Sequence, residues 1–334
     1  MAAPVKDLQQ LVDQATALEP IRVAVADAAQ KVVIETLRDA QALGFVEPRL
    51  IGEPGTIAAL CEEIGWNPAE DWIVPATGDA AAAAKAVALA RADEADAVMK
   101  GHIHTDALMH ALLDKERGLR VPGRRVSHVF LVEVATHPKL LGITDAAINI
   151  APDLTAKAQI LQNAADLFRL LGVEAPKVAV LSAVETVNPE IVSTLDAACL
   201  TLMAQRGQIT GALVDGPLAF DNAISRRAAE EKGITSSVAG DADILLVPDL
   251  VSGNVLAKNL EYLAGAVAAG IAAGLSVPVV LTSRADPAPA RLASLALAAL
   301  IHHRIPRAPI KAAAPESSLH AAPQPNHACC PLPG

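Results

Sequence analysis

Aromatic side chains are nearly missing from this chain, at 2% of residues. A core without Phe, Tyr and Trp must be filled by Ala, Val, Leu and Ile, which suits helices packed closely on a largely parallel sheet. Cysteine is sparse as well. Cys61, Cys199, Cys329 and Cys330 show no metal-ligand spacing, so neither a disulfide framework nor a zinc site is expected. Positive charge is in deficit: 27 Lys and Arg stand against 37 Asp and Glu, a net charge of −10. That balance argues against non-specific nucleic-acid binding, although two or three local Arg residues would suffice for a small anion. No run of about 18 apolar residues is free of charges and turn residues, so no membrane span is expected. The opening MAAPVKDLQQLVDQA lacks a basic region followed by an apolar core, which makes a cytoplasmic protein the expectation. The glycine fingerprints of dinucleotide and P-loop nucleotide sites are absent, and so is the GxSxG of a hydrolase elbow.

What is present is a globular composition, 52% hydrophobic and 19% charged, over 334 residues, enough for two domains. Short β-rich runs alternate with Ala- and Leu-rich helical patterns. RVAVADA (22–28), PRLIG (48–52), WIVPA (72–76) and DAVMKG (96–101) read as strands, with helices near 29–43, 56–65 and after 76. SHVFLVEVA (127–135) and LLGITDAAINIAP (140–152) are too close for a helical crossover and predict an antiparallel pair, a natural place for a domain boundary. Alternation then resumes with a helix over 154–172, a strand at 177–183 and a helix over 189–205 with Pro189 in its first turn. Strands at 210–216, 243–248 and 277–282 come next; the apolar window 263–282 reads as a helix leading into a strand. The pattern predicts an α/β protein with mostly parallel sheets. From about 312 the composition shifts to APESSLHAAPQPNHACCPLPG, which reads as a flexible tail.

In open α/β sheets, ligands sit beyond the carboxyl ends of strands. Those ends carry Lys100, Gly101, His104 and Thr105, then Asp215, Asp221 and Asn222, then Asp249 and Asn254, and last Ser283, Arg284 and Asp286. A Ser or Asp ahead of a helix is often only an N-cap. Arg284 is harder to dismiss, because a charge at the tip of a buried strand needs an anionic partner. A helix starting near 287 would add backbone N–H groups, which together suggest a phosphate or carboxylate cradle. His102 and His104 could begin a metal site, but later strand tips carry no His, so a polar substrate loop is the better reading and no metal is expected.

Taken in order, DAVMKGHIHTDAL, SHVFLVEV, ITDAAINIAPDL, PKVAVLSAVETVNP, GALVDGPLAFDNAIS, VAGDADILLVPDLVSGN and PVVLTSRAD resemble the phosphate acetyltransferase and phosphate butyryltransferase family, with wording closer to the butyryl branch. The resemblance spans roughly 20 to 300. It implies two α/β domains around a cleft, similar to isocitrate and isopropylmalate dehydrogenases. A discontinuous first domain would comprise 1–146 plus 284–311, a second 147–283, and a tail 312–334. It implies reversible acyl transfer between coenzyme A and inorganic phosphate, with both as substrates, no further cofactor, and a homodimer or larger assembly.

By that resemblance Ser283 and Arg284 are catalytic. The acetyltransferase branch carries an Asp seven residues after the Ser, and here that position is Ala290. Asp286 and Asp221 are therefore the carboxylates available to exchange a proton with sulfur. Lys100, Gly101, His104, Thr105, Asp145, Asn149, Asp215, Asn222 and Asn254 are the implied substrate contacts. The alternative from another class is a non-catalytic regulatory protein that binds acyl-CoA or acyl phosphate. A decarboxylating dehydrogenase on the related fold would need acidic metal ligands and a nicotinamide site.

Overall fold

The computed structural model describes residues 4–283 and 286–310. The first half alternates: α1 (Leu8–Ala15), β1 (Ile21–Ala26), α2 (Lys31–Ala42), β2 (Val46–Gly52), α3 (Pro54–Glu63), β3 (Ile73–Pro75), α4 (Asp79–Arg91), β4 (Ala97–Lys100) and α5 (Thr105–Leu113). β5 (Ser127–Glu133) and β6 (Leu141–Thr144) come next, as the expected antiparallel pair. Alternation resumes with α6 (Leu154–Leu170), β7 (Lys177–Leu181), α7 (Val192–Gln205), β8 (Leu213–Leu218), α8 (Phe220–Ile224), α9 (Arg226–Glu231), β9 (Ile244–Leu246) and α10 (Leu250–Leu263). β10 (Val267–Ala273), β11 (Val279–Val280) and α11 (Ala288–Arg304) close the described fold. The segment expected to be a tail, 312–334, lies outside the described residues. Among those described, no helix is long and apolar enough to cross a membrane.

All eleven strands form one sheet in the order β3-β2-β1-β4-β11-β10-β5-β6-β9-β7-β8. Five strands at one end, β3 to β11, are mutually parallel, and so are the four from β6 to β8. Between the blocks the direction reverses three times, at β11/β10, β10/β5 and β5/β6. The second block therefore runs opposite to the first. Strand tips of the two halves do not all leave the sheet at one edge.

Local chemistry explains several helix starts. Asp7, Asp153 and Asp249 each cap a helix, accepting from the N–H of Gln10, Ala156 and Ser252 at 2.7 to 2.8 Å. α6 buries Ile160, Leu161, Ala164, Ala165, Leu167 and Phe168 against the sheet, and a Cβ on Gly142 would meet the Phe168 ring at 2.6 Å. Helix and strand touch because that glycine has no side chain.

Two expectations fail. The window 263–282 holds no helix after Leu263; it contains β10 and β11, antiparallel to each other. Val-Ala-Ala-Gly-Ile-Ala-Ala shows neither strong β-propensity nor alternation, and its conformation is set by pairing on both sides, with β5 and β11. Pro189 does not open α7 either. It sits in a turn before the helix, held where the Thr194 hydroxyl donates to the Asn188 carbonyl at 2.8 Å and accepts from the Asn188 N–H at 2.9 Å.

A charge cluster ties β6, β7 and β9 together at one end. Lys139 Nζ donates to Asp241 and Asp243 at 2.9 and 2.6 Å, and Lys177 Nζ donates to Asp241. Burial alone would raise the Asp241 carboxyl, but the hydrogen bonds from Lys177 and Lys139 prevail and hold it at about 2. A depressed folded value means stability that is present above the ordinary carboxylate range and lost as pH falls through the folded value. Asp241→Asn is expected to lower stability at neutral pH and to flatten the acid loss between about pH 4 and pH 2. Denaturant melts across that range read the effect, and an unchanged acid limb would rule it out.

Candidate active site

β11 runs into Thr282, which is buried, and Ser283, which is exposed. The chain turns at once: the Ser283 N–H donates to Asp286 Oδ2 at 2.6 Å, and the Asp286 N–H returns to the Ser283 carbonyl at 3.3 Å. Beneath this turn lies Arg291 of α11, 1% exposed. Its Nη2 donates to the Ser283 carbonyl at 2.8 Å, its Nε to the Asp286 carbonyl at 3.1 Å, and its Nη1 to Thr282 Oγ1 at 3.3 Å. Burial pulls the guanidinium below its ordinary value, against the pull of Asp286. Asp286 moves the other way. Burial raises its carboxyl, while the Ser283 N–H and the Lys258 charge work to lower it. A carboxyl so placed can carry a proton nearer neutrality than an exposed one. Arg284 lies outside the described residues.

The turn borders a cleft of about 500 Å³. The tip of β4 and the start of α5 form one wall with Lys100, Ile103, His104, Thr105 and Asp106; Ala146, Ala147 and, on α10, Leu250, Asn254 and Lys258 form the other. His128, Phe130 and Leu281 contribute from the sheet. The cleft thus has ammonium groups on facing walls, a hydroxyl on its rim and an apolar part with two alanines. It fits a ligand that joins an anionic group to a short apolar one.

Residues 77–299 match the family model described as "Phosphate acetyl/butaryl transferase". The chain belongs to this family. It is 50% identical to a phosphate acetyltransferase from Rickettsia felis over 89% of this chain and 85% of that protein. It is 42% identical to a phosphate butyryltransferase from Clostridium acetobutylicum over 89% of this chain and 98% of that protein. Among solved structures, a branched-chain phosphotransacylase from Enterococcus faecalis superposes with a TM-score of 0.72 at 32% identity, covering 85% of this chain and 99% of the other. The relatives carry names from both the acetyl and the butyryl side of the phosphate acyltransferases.

Within this member of the family, Lys100, His104, Thr105, Asn254 and Ser283 come together around the cleft. Gly101 has a structural task. A Cβ there would stand 1.9 Å from the Asp27 carbonyl, so only glycine lets the ends of β1 and β4 touch. The His104 N–H donates to Asp79 Oδ2 at 3.0 Å, pinning the loop to α4.

Asp145 and Asn149 sit behind the cleft wall. Asp145 Oδ1 accepts from the N–H groups of Ala147 and Ile148 at 2.9 and 3.0 Å, and Oδ2 accepts from the His128 N–H and from Asn149 Nδ2 at 3.2 and 2.6 Å. Asn149 further bonds the Val126 carbonyl and Arg125. These side chains shape the loop that carries Ala146 and Ala147. Asp215, Asp221 and Asn222 lie with the second block of strands. Asp215 accepts from the neighbouring Gly216 N–H at 2.9 Å, Asp221 lies 3.6 Å from Lys232, and Asn222 Nδ2 donates to Glu185 at 3.3 Å.

Sequence reasoning missed three residues. Lys258 stands four residues beyond Asn254, on the same helical face, which was a usable signal. It hydrogen-bonds Glu261 at 2.6 Å; burial lowers its pKa, but Glu261 and Asp286 outweigh that and raise it. Arg291 is the lone charge in the apolar run PAPARLASLALAAL, a mark of a buried partner. His128, whose strand context does not suit a metal ligand, is fully buried below Phe130, their rings 4.4 Å apart. Burial takes it down to about 4 against the opposing pull of the Asp145 charge and the Leu281 backbone, so it is neutral at pH 7.

Arg291→Met keeps the volume of the stem and removes every donor under the turn. It is expected to cost about 3 kcal/mol of stability and to lower activity in protein that remains folded. Urea melts paired with turnover measure both, and a variant as stable as its parent would refute the bracing.

Proposed function

We propose that the protein transfers a short acyl group, acetyl to butyryl, reversibly between coenzyme A and inorganic phosphate in the cleft between Lys100 and Lys258. The observation that carries this is the rim turn: a Ser283 hydroxyl beside a half-buried carboxyl of raised pKa, facing ammonium groups on two walls. The family supplies the reaction class.

In the acyl-phosphate direction, a phosphate oxygen bonds to the thioester carbonyl carbon, the carbonyl π pair moves to oxygen, and collapse breaks the C–S bond. The leaving sulfur takes a proton. Lys100, Lys258 and Arg284 hold the phosphate, and the Ser283 hydroxyl donates to the developing oxyanion, a role worth roughly 3 kcal/mol per donor in other enzymes. Asp286 is favoured over Asp221 as the proton carrier because it shares the turn with Ser283. Holding both substrates together supplies much of the remaining acceleration. This displacement moves no electrons between carriers, so coenzyme A and phosphate enter as substrates and no redox cofactor is called for.

The cleft works between two lobes; the expected bounds, 1–146 with 284–311 and 147–283, move at the return, because β11 (Val279–Val280) pairs with β4 of the first block. The protein is read as a cytoplasmic homodimer.

Phosphate-dependent release of free thiol from acetyl-, propionyl-, butyryl- and isobutyryl-CoA is the decisive assay. Release is expected only with phosphate. Ser283→Ala and Arg284→Gln are expected to lose about tenfold or more in turnover without unfolding, and Asp286→Asn more than Asp221→Asn. Thioester binding without turnover would assign a regulatory protein instead, and parental rates in folded Ser283 and Arg284 variants would overturn the site.

A further inference from the structure

The apolar floor of the cleft contains one polar ring that bonds to nothing. His128 stands on β5 two residues before Phe130, and so projects from the same face of the sheet. The imidazole is fully buried, lines the cleft and meets the Phe130 ring nearly edge-on, with centroids 4.4 Å apart and planes at 71°. Asp145 and the Leu281 backbone bias it electrostatically, yet neither ring nitrogen closes a hydrogen bond among the described residues. The Asp145 carboxylate is already taken by backbone N–H groups and Asn149. A buried ring held this way contributes its bulk to the structure and no hydrogen bond.

Its position gives that bulk a task. A Cβ on Gly270 of β10 would stand 2.8 Å from the Leu281 carbonyl oxygen and 3.1 Å from His128 Nε2, so the imidazole and the end of β11 meet at this glycine. Ser283 lies two residues beyond Leu281, about 7 Å along the chain. From the exposed Ser283 inward, the cleft passes the buried Leu281 and reaches Phe130, which rests on His128. That depth is the scale of a short acyl chain.

We propose that the Phe130–His128 stack is the floor of the acyl subsite, and that His128, by supporting the Phe130 ring, sets the longest acyl chain the cleft admits. The inference rests on the proposed acyl transfer and adds its chain-length limit. With the reacting carbonyl at Ser283, the methyl end of the chain lies against Phe130. A longer chain must push Phe130 down onto the imidazole. The ring has no space to withdraw into, since even a methyl group on Gly270 would press on Nε2. Close-packed interiors resist such displacement.

The test is kcat/KM for phosphate-dependent thiol release from acetyl-, butyryl-, hexanoyl- and octanoyl-CoA, on the full chain. The parent is expected to fall steeply beyond butyryl. His128→Ala breaks no hydrogen bond of the ring and lets Phe130 settle into the vacated space. Its ratio of hexanoyl to butyryl is expected to rise at least about tenfold, the scale of a methylene in an apolar pocket. His128→Met, which restores bulk without ring nitrogens, is expected to return the ratio toward the parent. Phe130→Leu lowers the floor from the cleft side and is expected to raise the same ratio, so the test survives a His128→Ala protein that does not fold. Circular dichroism checks each fold. An unchanged ratio in folded His128→Ala or Phe130→Leu, even with all rates lowered together, would overturn the floor. His128→Met as relaxed as His128→Ala would overturn support by bulk. A parent that binds thioesters but releases no thiol would overturn the acyl transfer itself, a result distinct from an unaltered chain-length profile.

Discussion

The site depends on one buried guanidinium. Strand β11 is two residues long, too short to fix the direction of the chain beyond it, and the turn after it carries the rim hydroxyl of Ser283 and the half-buried carboxyl of Asp286. Arg291 supplies the missing rigidity by donating to three acceptors spread over Thr282, Ser283 and Asp286. A planar group with five donors in a fixed fork suits this role better than an ammonium on a flexible stem. Its charge is costly to bury, and the nearby Asp286 carboxylate offsets part of that cost. The same desolvation that depresses Arg291 raises Asp286. The lowered guanidinium and the raised carboxyl thus share a cause.

The second constraint is topological. Three reversals in the middle of the sheet let two parallel blocks share it while running in opposite directions. One wall of the cleft comes from the tip of β4, and the other from the end of β6 with α10. The second wall is compact because small residues allow it. A Cβ on Gly253 would meet Val247 at 2.7 Å and Ala146 at 3.0 Å, so α10 sits tight against the loop that presents Ala146 and Ala147. Asp145 and Asn149, whose polar atoms are spent on backbone, on Arg125 and on each other, hold that loop from behind.

Much of this was legible in sequence, and the reasons for success and failure are physical. Elements with strong periodicity or marked ends, such as α6 with Asp153 before it, were readable. The antiparallel β5–β6 pair could be inferred from a connection too short for a helix. The rim hydroxyl and Lys100 were found because polar residues at the ends of buried strands are conspicuous. β10 was not, since Val-Ala-Ala-Gly-Ile-Ala-Ala takes its conformation from partners more than a hundred residues away in sequence on one side. Asp221 and Asn222 read as members of the same cleft as Ser283 because sequence shows which strand a residue follows but not where that strand stands in the sheet. They follow β8, the outermost strand, three places from β6, and their neighbours are Lys232 and Glu185.

The shortage of aromatic residues links these observations. A core made of Ala, Val, Leu and Ile has thin layers, and thin layers bring backbones into contact where glycine permits, at Gly101 and Gly270. Phe130 is then one of few large rings, and it lies in the cleft wall over a neutral, fully buried His128. Small side chains also bury little apolar area each, at about 25 cal/mol per Å². A monomer built this way gains less per helix than one with aromatic packing. Composition and the close approach of neighbouring backbones are therefore consequences of the same choice of residues.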